Sequence, residues 1–77
     1  MEYDQLGHFS EGLAPVCQKG KWGYLDAKGR MILPLKYDYA ESFQRGIAMV
    51  LIGGKIAFVD KTGKTLVMTD LDYTELD

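Results

Sequence analysis

The sequence predicts an all-β protein: two tandem three-stranded antiparallel meanders with short helical-turn links, forming a small curled sheet or barrel-like sandwich. Three observations carry that expectation. The chain overlays itself without a gap when shifted by 34 residues. Its apolar segments run five or six residues and are bounded by glycine-bearing turns. Within several of them, residues two apart match across the repeat while their neighbours differ, which is the period of a strand.

The overlay is specific in its residues. Phe9, Gly12, Ala14 and Val16 fall on Phe43, Gly46, Ala48 and Val50. Gly20 and Lys21 fall on Gly54 and Lys55, Asp26 and Gly29 on Asp60 and Gly63, and Tyr3 and Asp4 on Tyr37 and Asp38. Self-similarity at a period of a few tens of residues marks a repeat architecture. The 77 residues are read as one domain, with repeat 1 at 3–36, repeat 2 at 37–70 and a partial third repeat or cap at 71–77. A core this small is marginal, so each apolar face has to find cover.

Taken in order, repeat 1 places strands near 12–17, 21–26 and 30–34, and repeat 2 near 46–51, 55–60 and 64–68. Gln18 to Lys21 and Ile52 to Lys55 are glycine-bearing hairpin connections. Asp26 to Gly29 and Asp60 to Gly63 have Asp first and Gly fourth, which predicts a type I turn closing with a bulge. Ala14 and Val16, like Ala48 and Val50, share a face that should point inward. Gly23 and Ala57 are small residues that admit a close neighbour. Pro15 lacks an N–H, so its strand is expected at an edge. In the linker, Tyr37, Ala40 and Phe43 are spaced by three, which suits a short helical turn. The expected core holds Trp22, Tyr24, Phe43, Val50, Phe58 and Leu66, with Trp22 open to being either buried or displayed.

Composition narrows the function classes. Apolar residues make up 47% and charged residues 26%, an ordinary globular balance. A net charge of −2 argues against a general nucleic-acid binder, which wants a basic stripe. The charge is uneven. Residues 3–36 carry five bases and three acids, whereas residues 71–77 carry three acids and no base. Cys17 is the only cysteine, so no internal disulfide forms, which fits a reducing compartment. No run approaches the roughly 20 apolar residues of a spanning helix, and the N-terminus lacks the basic and apolar regions of a signal peptide. The chain is read as soluble and cytoplasmic.

Repeat 1 has a recognisable form. Phe9, Glu11, Gly12, Leu13, Ala14 and Val16 lead to Gly20, Lys21, Trp22, Gly23, Tyr24, Leu25 and Asp26, and then to Gly29, Arg30, Ile32, Pro34, Tyr37 and Asp38. This resembles the WG repeat, also called the KWG repeat. The resemblance covers nearly the whole chain as two copies and the start of a third. Repeat 2 departs at the name-giving pair, with Ile56 and Ala57 in place of Trp and Gly. The resemblance implies a β-rich unit, mainly bacterial and usually in longer arrays, with no shared catalytic activity and a supposed role in interactions.

The residues that could carry chemistry do not assemble a reaction. His8 has no companion His or Cys cluster, Asp26 and Asp60 are explained as turn residues, and no glycine loop opens a long helix. Asp70, Asp72 and Glu75 lack the central glycine of a calcium loop. No catalysis, cofactor or metal is expected. The distinctive feature is the second face of repeat 2. Leu13, Pro15, Cys17 and Gln18 of repeat 1 become Ile47, Met49, Leu51 and Ile52. Either both faces are buried between two layers, or this cluster is exposed as a partner or self-association surface. The expected protein-binding residues are Arg45, Ile47, Met49, Leu51, Ile52 and Lys55. The expected function is a non-catalytic protein–protein interaction module, such as a small inhibitor or immunity-type protein. The alternatives are a structural unit that self-associates, and a weak nucleic-acid binder using the basic front of repeat 1.

Overall fold

Short strands linked by glycine turns can satisfy their backbones only by pairing with each other, and the chain does so twice. The computed structural model describes residues 3–72. Strands β1 (Gln5–Leu6), β2 (Leu13–Gln18), β3 (Lys21–Asp26) and β4 (Met31–Tyr37) form one antiparallel sheet in that order. Strands β5 (Tyr39–Ala40), β6 (Ile47–Ile52), β7 (Lys55–Asp60) and β8 (Thr65–Asp72) form a second sheet of the same order. Each sheet takes one copy of the repeat, and neither closes into a barrel. Four of the strands start or end within about a residue of expectation; β4 and β8 run several residues longer.

The turns follow from their residues. Lys19–Gly20 and Gly53–Gly54 both have two consecutive positive φ values, 55° and 82° in the first and 57° and 82° in the second. That is the type I′ hairpin, whose twist matches that of the flanking strands. At the other corner, Gly29 N–H donates to the Asp26 carbonyl at 3.0 Å, and Gly63 repeats the bond on Asp60 at 3.0 Å. The Asp26 carboxylate accepts from the backbone of Lys28 and Arg30, each at 2.9 Å, so it closes the turn and its bulge as expected.

The linker is not helical. The strand β6 beside it presents free carbonyls, and the linker takes them. Asp38 N–H donates to Leu51 at 2.8 Å and Glu41 N–H to Met49 at 3.0 Å, on either side of the two-residue strand β5. Tyr37, Ala40 and Phe43 are nonetheless all buried, because a bent extended segment can turn residues three apart to one side as a helical turn would. The first link does the same on β2, where Gly7 N–H donates to the Pro15 carbonyl at 2.7 Å. That bond corrects the expectation for Pro15. Its strand is interior and Pro15 is buried. A residue's N and C=O point to the same side of a strand, so the missing donor of Pro15 faces the short strand β1, where the ladder ends anyway.

The two sheets share one core. Leu13, Tyr24, Leu33 and Tyr37 of the first meet Ala40, Phe43, Ala48, Val50, Ala57 and Val59 of the second. The Tyr24 ring lies edge-on to Phe43, with centroids 4.8 Å apart. Gly23 is approached as closely as its lack of a side chain suggests: a Cβ there would stand 2.5 Å from the Leu33 carbonyl oxygen. Leu66 is exposed rather than part of the core, and Cys17 is buried. The last link falls largely on residues 73–77, outside the described residues.

Two buried tyrosines make a contrasting pair. The Tyr24 hydroxyl donates to the Glu41 carbonyl of the next repeat. Burial, with Tyr37, Glu41 and Tyr39 nearby, pushes its pKa well above the ordinary value. The Tyr37 hydroxyl is buried without a hydrogen-bond partner among the described residues. Tyr24→Phe is expected to cost about 1 kcal/mol, and Tyr37→Phe to stabilise by a similar amount, since a buried unpaired hydroxyl is a net loss. Urea midpoints of the two variants test this; equal shifts in one direction would contradict it.

Polar clasps join the repeats. The Glu11 carboxylate accepts from the backbone N–H groups of Arg45 and Gly46, the latter at 2.8 Å, and meets Lys61 Nζ at 3.3 Å. The Ser10 hydroxyl donates to the Phe43 carbonyl at 2.6 Å. Asp38 receives Lys21 Nζ at 2.6 Å and the Gly53 N–H at 2.7 Å. These contacts hold carboxyl pKa values down. Glu11 is lowered chiefly by the Gly46 N–H, Asp38 by Lys21, Asp26 by the Arg30 N–H and Asp60 by the Thr62 hydroxyl. Each group binds its proton less readily folded than unfolded. Their contribution is therefore complete above the ordinary values of 3.8 for Asp and 4.5 for Glu, and is lost as pH falls through the lower folded values. The expected urea midpoint is level from neutral pH to about 5 and falls below that. A midpoint unchanged at pH 3 would contradict the assignment.

Candidate functional site

The same repeat position is buried in one copy and open in the other. In β2 the residues Leu13 through Cys17 are all buried. In β6 the alternation reappears: Ala48 and Val50 are buried, Ile47 is 41% exposed, and Met49 and Leu51 are half-buried. Composition does not explain this, since the β6 side chains are the larger. The neighbour does: the second sheet lies on the Leu13 face of the first, and among the described residues no third sheet lies on the Ile47 face of the second.

That open face runs into a groove between the sheets, of about 610 Å³. The first repeat supplies Gly7, His8, Pro15 and Trp22 to its wall. The linker and β5 supply Tyr39, Ala40, Glu41, Ser42 and Gln44, and the second sheet supplies Ile47, Met49 and Phe58. Trp22 and Tyr39 meet edge-on with centroids 5.5 Å apart, so their rings form one corner of the wall. A smaller recess of about 300 Å³ continues along Tyr39, Glu41, Met49 and Leu51. The lining is mixed, with apolar walls and carboxylate, hydroxyl, amide and imidazole groups among them, the composition of a recognition surface.

Of the residues expected in a binding face, Ile47, Met49 and Leu51 come together on these walls. Arg45 is exposed at the neighbouring turn, holding φ 54°. Ile52 does not join them. It follows Ala48 and Val50 in alternation and packs partly against the core. Lys55 is half-buried opposite Asp72 in the ladder. Trp22, Tyr39 and Phe58 belong to the groove and were not anticipated there. The signal available was that Trp22 is the bulky half of the Trp22–Gly23 pair. No group of three or more His, Cys, Asp or Glu among the described residues is placed to hold a metal.

Trp22 and Gly23 thus have separate structural jobs, one walling the groove and one admitting β4. The profile of a family described as WG containing repeat matches residues 1–22 and 22–55. The chain belongs to the WG-repeat family. The second match is one full 34-residue unit running from Trp22 to Lys55, the same period at which the sequence overlays itself. No curated protein and no solved structure matches the chain. In WG-repeat terms, the unit's tryptophan sits at the joint between copies, where it touches Tyr39 of the following copy. Repeat 2 carries Ile56 at that position, and Ile56 is buried. No helix among the described residues is long and apolar enough to cross a membrane.

Proposed function

We propose that this chain is a non-catalytic, cytoplasmic module that binds another polypeptide in the groove between its two repeats. The observation that supports it is the half-open apolar wall of Ile47, Met49 and Phe58 facing Trp22 and Tyr39. Large apolar side chains seldom stay uncovered on a soluble protein unless a partner covers them. Methionine at the centre suits a surface that adapts to its ligand. A partner seated there would bury apolar area at the centre and meet Glu41, Ser42 and Gln44 at the rim. Occlusion of a target's own site, as a small inhibitor or immunity-type protein works, is the form of binding we favour. Nucleic-acid binding is less favoured because Lys21 and Arg30 of the basic front are committed to Asp38 and Asp26.

A photo-crosslinking side chain at Ile47 tests this in the source cell, with one at Lys28, on a turn of the first sheet, as the control. One adduct of fixed mass from position 47, absent from position 28 and removed by Met49→Glu, is the expected result. No adduct, or the same adducts from both positions, would overturn the reading.

A further inference from the structure

We infer that the partner enters this groove through an arginine, whose guanidinium seats beside the Glu41 carboxylate and the rings of Trp22 and Tyr39. Tyr39 and Glu41 are two residues apart in an extended link, so both side chains leave it on one side. Across the ladder stand Leu51, paired with Tyr39, and Met49, whose carbonyl takes the Glu41 N–H at 3.0 Å. These four line the recess of about 300 Å³. Trp22 of repeat 1 stands edge-on to Tyr39, with the ring planes at 68°. One carboxylate thus lies among apolar walls beside a corner of two aromatic rings.

That carboxylate is set apart by what it lacks. Asp4, Glu11, Asp26, Asp38 and Asp60 each accept at least one backbone N–H. The Glu41 carboxylate accepts no hydrogen bond and meets no cation among the described residues. It is the only acid in the groove and its recess, and none of the nine lysines and arginines joins it there. The site therefore presents negative charge and aromatic rings together, and a cation complements both. The link's fold does not require the pair. The first link has Gln5 and Gly7 at the same positions, and a Cβ on Gly7 would stand 2.7 Å from the Pro15 ring.

Arginine fits this site better than lysine. Its planar guanidinium stacks on a ring while its N–H fork reaches a carboxylate, and both Glu41 oxygens are open to such a fork. It is more weakly hydrated than an ammonium, so it loses less on passing Met49 and Leu51. Its carbon stem lies well along the same apolar walls. Glu41 is exposed, so salt screens the pairing and its contribution is modest; the rings and walls supply the rest.

This inference rests on reading the groove as a polypeptide-binding surface, and it names the chemistry of the residue that enters it. Trp22 is the only tryptophan, so its emission reports on the corner directly. The probe is a blocked peptide, Ala-Leu-Arg-Leu-Ala, titrated at low salt. Its controls carry lysine or citrulline, the neutral isostere, in the middle. The expected result is a saturable shift of Trp22 emission. The arginine peptide should bind about tenfold tighter than the citrulline one, with lysine between them. Glu41→Gln keeps the backbone bonds of the link; it should weaken the arginine peptide about fivefold and leave the citrulline peptide unchanged. Tyr39→Leu should weaken the arginine peptide about threefold. Circular dichroism checks that both variants fold. No shift with the arginine peptide, citrulline or lysine bound as tightly as arginine, or an unchanged affinity in Glu41→Gln would each overturn the inference. So would an emission that shifts with protein concentration alone, which would put a second copy in the groove. If citrulline binds as tightly as arginine, or position 47 still gives its single adduct, the polypeptide-binding reading stands without this one. No peptide binding together with no adduct removes both.

Discussion

Phe43→Ala should remove about 3–5 kcal/mol of the chain's stability, while Phe9→Ala should leave it almost unchanged. The two phenylalanines hold the same place in the repeat. Phe43 is fully buried, edge-on to Tyr24, in the one core that joins the sheets. Truncating a buried phenylalanine removes its transfer energy and leaves a cavity, together about 3–5 kcal/mol. A domain of this length holds a total of roughly 4–12 kcal/mol. The cavity would also sit where Ser10 reaches the Phe43 carbonyl, so that clasp loosens with the ring. Phe9 is 52% exposed, which places its substitution within about 0.5 kcal/mol of neutral. Urea denaturation followed by circular dichroism compares them. Similar midpoints for the two variants would mean that the sheets do not depend on each other for stability.

The contrast shows what a single repeat can and cannot reveal. Local features were legible because their causes are local. Asp26 and Gly29 define their turn by bonds within five residues, and Ala48 and Val50 declare an inward face by alternation alone. The link was misread because spacing does not distinguish a helical turn from a bent strand. What decides is the free edge of β6, whose Leu51 and Met49 carbonyls lie eight or more residues along the chain. Leu66 was expected inside because its repeat partner is Ile32, but Ile32 is itself 42% exposed, so similarity carried exposure as faithfully as burial. The groove was half legible. Ile47, Met49 and Leu51 stood out as large side chains on the second face, whereas Trp22 and Tyr39 join them only through the way the sheets stack. Whether that face is covered depends on what stacks against it, which no residue in β6 encodes.

Gly23 gives the second large effect, and its repeat partner explains why. Between Trp22 opposite Tyr37 and Tyr24 opposite Leu33, β3 places one residue while β4 places three. The surplus is taken up by β4 bending over Gly23, where an added Cβ would meet the Leu33 oxygen at 2.5 Å and the Pro34 carbonyl carbon and oxygen at 2.8 Å. These are backbone atoms, which cannot rotate aside as a flexible side chain would. Repeat 2 has a Cβ at this position: Ala57 pairs opposite Met68, and the surplus of β8 falls one residue earlier, between Lys55 opposite Asp72 and Ala57 opposite Met68. Pro34, the counterpart of Met68, has no N–H to offer a ladder, so β4 cannot simply adopt the path of β8. Gly23→Ala is therefore expected to cost about 1–3 kcal/mol through overpacking, and Gly23→Val more. Adding Pro34→Met to Gly23→Ala gives repeat 1 the pair that repeat 2 carries, and should recover part of the loss. The double-mutant cycle by urea denaturation separates this account from a general intolerance of β3 to substitution. Strict additivity of the two changes would show that β4 does not bend because of Gly23. A positive coupling would show that the glycine of the Trp–Gly pair and the proline across from it act as one device for folding the fourth strand over the third.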